Sequence, residues 1–400
     1  MRVAIQGAGI AGTTLAWWLR RYGHEVLLIE QARALRSGGY VLDLWGLGYD
    51  VAERMGILPA LQARQYLAAE LRLVDAQGRT CGGYPTEILS RLANGRFMAL
   101  ARADIAATIH AALDRGVETI FGDSITAIAQ HGERMRIDFE QASAREVDLV
   151  VGADGLRSQI RALGFGAEAT FEYPLGCHVA AFELPGYRPR QEDVVVIHGA
   201  PGRYVTRLAL REDKTLVFMV FRDECLGAEF PADLPARKAA LRGIFADMGW
   251  ECPQILGAMA AVDEIYFDSV SQIRMPHWTR GRVALVGDAA ACPSLIAGEG
   301  AGLAMAQAYV LAGEIQRSQG NVDAALRNYE KRLRPFLSAK QKAAEKLVGA
   351  FVPRTAFGVA VRNFGTRLMR LPVFPELLMG RYLRDAMTLP EYADGTTPSA

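Results

Sequence analysis

The sequence predicts an α/β protein: a Rossmann-like three-layer nucleotide-binding unit, an antiparallel sheet inserted into it, and a helical C-terminal region. Three observations carry this reading. The chain opens on a strand, a glycine turn, a helix and a second strand. Two further glycine- and carboxylate-bearing motifs each follow a short apolar strand much later. Between those two motifs the pattern changes to short, partly alternating strands.

Residues 3–6 read as a buried strand, and the apolar positions from Ile10 to Leu19 read as a packed helix. Between them stands Gly7-Ala8-Gly9-Ile10-Ala11-Gly12. Gly7 permits a tight turn, Gly9 lets backbone amides approach a pyrophosphate, and Gly12 lets the helix lie close to the sheet. The next strand, 25–29, ends at Glu30, 18 residues past Gly12. There a carboxylate accepts hydrogen bonds from ribose hydroxyls. Ala11 within the turn and Gln31 after the acid complete the predicted contact set. A dinucleotide is expected, and this segment alone leaves FAD and NAD open.

The strand 147–151 runs into Gly152-Ala153-Asp154-Gly155, and the strand 282–286 runs into Gly287-Asp288. After a loop, Gly298-Glu299-Gly300-Ala301-Gly302 opens a long Ala/Leu-rich helix to about Arg317. A carboxylate beside a glycine-rich helix start binds a polyol and a phosphate together. Asp288 then takes a ribityl hydroxyl, and the amides around Gly300 and Ala301 face the edge of a flavin that gains negative charge on reduction.

On these residues the chain resembles the single-component (group A) flavin hydroxylases typified by p-hydroxybenzoate hydroxylase, and more closely the branch of tetracycline-inactivating flavin monooxygenases. The resemblance rests on the glycine triplet, Glu30, the stretch 38–44, Arg102, Asp154-Gly155 and Gly287-Asp288. It implies FAD as resident cofactor, Arg102 reaching it, Asp154 and Gly155 helping to hold it, and Asp288, Gly298, Gly300 and Ala301 around its ribityl chain and ring. It also implies NADPH or NADH as a transient reductant without a Rossmann domain of its own. Oxygen would pass from a flavin hydroperoxide to an electron-rich ring. Where many relatives read Gly-Asp-Ala-Ala-His, a proline, then Gly-Gln-Gly-x-Asn, this chain has Ala291, Leu295, Glu299 and Gly302. A carboxylate at 299 near a flavin that becomes anionic is unfavourable unless it points away.

The predicted division is 1–171 and 276–320 for the FAD-binding domain, 172–275 for the substrate sheet, and 321–400 for a helical closure. Strands are expected at 177–184, 193–198, 204–211, 215–222 and 265–274, with one helix at 235–248. Tyr204 and Arg207 are the candidates to orient an anionic or phenolic substrate. A helix is expected over 321–345, kinked at Pro335. From Lys331 to Asp385 there are 12 Lys/Arg against 3 Asp/Glu. Helices with a solvated basic face are the preferred reading there, and contact with an anionic membrane surface the alternative.

Composition bounds the rest. A net charge of +1 gives no electrostatic case for nucleic acid. Five scattered cysteines without a CxxC fit reduced thiols in a cytoplasmic protein, with neither disulfides nor a metal site. Nothing before the first strand reads as a signal peptide, and Asp288, Glu299 and Arg362 interrupt the best apolar runs. The expected activity is FAD- and NAD(P)H-dependent oxygen insertion into an aromatic or polycyclic molecule. The alternatives are a flavin dehydrogenase or reductase of a lipophilic polyene or quinone, and a non-catalytic FAD- or ligand-binding protein.

Overall fold

The computed structural model describes all residues except 36–39, 114, 189–190, 228–229, 381–382 and 394–400. Gly38 and Gly39 of the family-like stretch therefore lie outside the described residues.

One sheet has the strand order Thr279–Arg280, Val283–Leu285, Leu149–Gly152, Arg2–Gln6, Glu25–Glu30, Val117–Phe121. Its neighbours are parallel except for the Thr279–Arg280 hairpin. Val3, Ala4, Ile5, Leu28, Ile29, Val150 and Val151 are all fully buried. Such unbroken apolar runs are what a parallel sheet covered on both faces requires. The helix Gly300–Arg317 is buried on every side from Ala301 to Ile315. Its small residues permit that: a Cβ at Gly48 of the neighbouring helix Gly46–Arg54 would lie 2.3 Å from Gly302 Cα. Gly302, in the place of the family's asparagine, is thus a crossing point of two backbones.

The second sheet has seven strands in the order Tyr266–Ile273, Glu172–Pro185, Lys214–Arg222, Arg203–Ala209, Val194–Ala200, Glu70–Val74, Thr80–Pro85. All five strands expected between 177 and 274 are present. The other two come from inside the 1–171 segment, and Glu70–Val74 pairs parallel to Val194–Ala200. A boundary at 172 therefore does not contain the whole sheet. The expected single helix is also a correction, because Leu234–Phe245 and Cys252–Ala258 both pack on the outer face. The two-stranded antiparallel ribbon of Val41–Trp45 with Phe97–Ala101 contributes Val41 and Trp45, with Tyr40 just before it, to contacts with that sheet and its neighbours.

At the C-terminal end, Val322–Phe351 is one 30-residue helix that continues through Pro335, past the expected end at 345. Ala356–Leu368 follows. Among the described residues no helix is long and apolar enough to cross a membrane, and all five cysteines are free thiols.

Candidate functional site

The first loop is shaped by backbone contacts. Gly7 has φ +106°, and a Cβ there would lie 2.5 Å from Ala153 O. A Cβ at Gly12 would lie 1.9 Å from Gly7 O. Both positions therefore exclude any side chain. Gly9 has nothing within 4 Å of its would-be Cβ, so that side of the loop stands open to a ligand. Glu30 faces the loop: it accepts the Ala8 N–H at 2.8 Å and the Ala32 N–H at 3.0 Å. Its remaining lone pairs suit ribose hydroxyls. Ala11 is buried against the Gly287 turn, and Gln31 is exposed just past the strand end.

The second motif is more inward-turned than expected. The Asp154 carboxylate accepts the Ser158 hydroxyl at 2.5 Å and the Ile160 N–H at 3.0 Å, bracing Ser158 as the N-cap of the helix Gln159–Phe165. Burial pushes its carboxyl above the usual range. Fully buried Arg161 donates to Leu156 O at 2.6 Å and Ala289 O at 3.1 Å, tying this motif to the next one. Gly155, at φ +78°, has open space where a side chain would stand.

Asp288 begins the short helix Asp288–Ala291 beneath the Gly300 amide end, with its Oδ1 3.8 Å from a would-be Gly300 Cβ. Burial raises its carboxyl above the usual range, opposed by the Arg102 charge and by a hydrogen bond from Cys292. Arg102 opens the helix Arg102–Ala111 and donates its backbone N–H to Tyr40 O at 3.1 Å. It is exposed, with Tyr40 and Asp288 as electrostatic neighbours. A half-buried carboxylate, an exposed arginine and a helix start lie close together, and a polyol carrying a diphosphate supplies the donors and charge they lack. The residues present fit FAD.

The loop that departs from the family pattern has its own compensation. Glu299 is buried, and both of its oxygens lie 3.0 Å from Lys340 Nζ. Lys340, on the helix Val322–Phe351, also pairs with Asp385 at 2.8 Å. Asp385 in turn accepts the Leu47 N–H at 2.8 Å. The Glu299 charge is therefore neutralised from a distant helix rather than left unpaired. Ala291 is core-packed, and Leu295 lies with Ile296, Tyr204 and Val348 against the seven-stranded sheet. Ser294 holds φ +132°, a strained value for a residue with a side chain.

Strand parity divides the substrate candidates. Tyr204 lies on the inner face, among Val179, Val220 and Leu295. Arg207, three residues on, points to the outer face. It is paired with Glu251 at 2.9 Å under the Cys252–Ala258 helix, so it does not belong to the substrate set. The cation on the inner side is one the sequence did not single out: Arg362 of the helix Ala356–Leu368 occupies the space a Cβ at Gly199 would need. Tyr204 is the Coulombic neighbour that opposes the lowering of its pKa by burial. The reachable signal was Gly199 opposite Tyr204, a hole in the sheet beside an aromatic.

The parallel sheet with its three loops defines a flavin-nucleotide-binding oxidoreductase. A family model described as "FAD binding domain" matches residues 106–343, and one described as "NAD(P)-binding Rossmann-like domain" matches 5–44. The chain belongs to the FAD-binding-domain family, and within it to the flavin-dependent monooxygenases. It is 35% identical to an uncharacterized protein of Mycobacterium tuberculosis, over 89% of this chain and 96% of that one. It is 30% identical to a flavin-dependent monooxygenase of an unknown prokaryotic organism, over 85% and 87%. A tetracycline destructase, Tet(51), superposes with TM-score 0.81 at 29% identity, over 98% and 99% of the two chains.

Proposed function

We propose that this protein uses NADPH or NADH to hydroxylate, or insert oxygen into, an aromatic or polycyclic small molecule. The observation that carries the reading is the inner face of the seven-stranded sheet, which meets the flavin loops where Leu295 and Ile296 pack near Tyr204 and where Tyr40 packs on Phe218. That face is mostly apolar (Val179, Ala181, Phe218, Val220), with Tyr204 and Arg362 at one side. Bound FAD supplies the redox chemistry and the activation of oxygen. The protein's own residues position and shield. Arg102 and the Gly300 amide end stabilise negative charge on the cofactor, and Asp288 and Glu30 hold its hydroxyls. Tyr204 and Arg362 orient an oxygen substituent of the substrate, while Leu295, Phe218 and Tyr40 keep water from the reacting ring. The names of two structural relatives, the tetracycline destructases Tet(51) and Tet(55), support a polycyclic substrate.

The changed loop was the reason to consider a flavin dehydrogenase; the Lys340 pairing of Glu299 speaks against that reading, because this carboxylate is already neutralised. The test is product mass under heavy oxygen gas, with NADPH or NADH and a panel of polycyclic phenols. One labelled oxygen in the product is expected. A turned-over product without label overturns oxygen insertion.

A further inference from the structure

The helix Ala356–Leu368 is inverted relative to an ordinary surface helix. Its polar side faces the protein: Thr366 Oγ1 accepts the Gly83 N–H at 2.9 Å, Asn363 reaches Cys81 Sγ at 3.1 Å, and Arg362 fills the space over Gly199. Its apolar side faces outward. Phe357, Val361 and Phe364, spaced four and three residues apart on one face, are 80%, 53% and 61% exposed. The following segment continues the surface with Val373 and Leu377, at 72% and 73%. A helix that ended at this surface would turn its polar side to water. Exposed apolar residues in one continuous stretch mark a contact with something else.

Charge selects the occupant. Residues 351–385 contain six arginines, five of them besides the inward-facing Arg362, against Glu376 and Asp385, while the whole chain carries only +1. Arg354 and Arg384 are held in solvent-exposed pairs with Glu224 and Glu376, which exchange readily for other anions. A second copy meeting this patch through the same patch would set arginines against arginines. An anionic bilayer complements both features, taking phenylalanine and leucine at the acyl boundary and arginine among the headgroups. We propose that the outer face of 356–378 docks this protein onto an anionic membrane surface, where lipophilic molecules concentrate.

The test is co-sedimentation of the FAD-loaded full chain with vesicles of phosphatidylglycerol and phosphatidylcholine, beside vesicles of phosphatidylcholine alone. Binding to the anionic vesicles about tenfold stronger than to the neutral ones, weakening with salt, is expected. Phe357→Ser/Phe364→Ser should lose about tenfold in vesicle affinity while keeping its FAD content and melting temperature, since both side chains touch water already. Equal vesicle binding by parent and variant, or none by either, overturns the proposal. So does a parent that is dimeric in analytical ultracentrifugation and is made monomeric by the two substitutions, because the face then belongs to a second copy.

Discussion

Two glycine-rich loops each open a helix, and they are stabilised in opposite ways. At Gly7–Gly12 the determinants are main-chain groups of the parallel sheet and its loops: Gly7 O excludes a side chain at Gly12, Ala153 O just past the neighbouring strand excludes one at Gly7, and Glu30 is satisfied by main-chain amides. At Gly298–Gly302 they are remote. The carboxylate of Glu299 is satisfied by Lys340, 41 residues away, which is shared with Asp385 near the chain's end. The first loop is held within the nucleotide-binding sheet. The second holds its shape only when the C-terminal helices are in place.

The sharpest test of the first loop is Gly12→Val. A side chain there would overlap Gly7 O, with no flexible neighbour to yield. The cost is on the order of 4 kcal/mol or more, enough to prevent folding of a marginally stable chain. The expected result is insoluble protein, or soluble protein with no FAD; normal flavin content would show that the loop can rearrange. For the remote loop the counterpart is Lys340→Met. It removes the cation that Glu299 and Asp385 share, at about 3–5 kcal/mol. Glu299→Gln alone should cost about 1 kcal/mol or less, and Glu299→Gln/Lys340→Met should recover much of the loss. Urea unfolding and FAD titration of the three variants read this directly. A double variant no better than Lys340→Met would show that the lysine acts through something other than Glu299.

The contrast in locality explains what the sequence disclosed. The parallel sheet and its three loops were legible because each is a contiguous run: apolar strand, glycine turn, carboxylate. Glu70–Val74 was not, since its partner Val194–Ala200 is over a hundred residues away and its alternation is short. Lys340 looked like one more cation in a basic stretch, and only the tertiary fold brings it to Glu299. Arg207 is a different lesson. It stands three residues from Tyr204 on one strand, so parity alone puts the two on opposite faces, whatever the sheet packs against. Arg207→Met should accordingly lower stability through the loss of its Glu251 pair and leave the substrate KM unchanged, whereas Tyr204→Phe or Arg362→Met should raise KM and spare FAD binding.

Asp43 sharpens the comparison through pH, because it lines the same small cavity as Glu299 and Asp385. Burial raises its carboxyl from 3.8 to about 6. Between those values the folded protein binds the proton more tightly than the unfolded chain, so this group's stabilisation is complete below the lower value and is lost as pH rises through the upper one. Asp43→Asn removes the titration. The variant should match the parent near pH 4 and exceed it by about 2 kcal/mol above pH 7. Equal stability of the two proteins at both pH values would mean that the cavity is wet enough to solvate the carboxylate.

The smallest expected effect returns to the first loop. In Glu30→Gln one side-chain oxygen remains to accept either the Ala8 or the Ala32 N–H, and the other position becomes a donor facing a donor. The change trades a charge-assisted bond for a neutral one and leaves one amide poorly satisfied, about 1 kcal/mol in the free protein. FAD affinity should fall by about tenfold as a ribose acceptor is lost. Because both amides belong to the loop and its own strand, substitutions at Lys340 and Glu30 should add without coupling. A measurable interaction energy between them would show that the two loops respond as one unit, and would replace the picture of one loop held by the sheet and one dependent on the C-terminal helices.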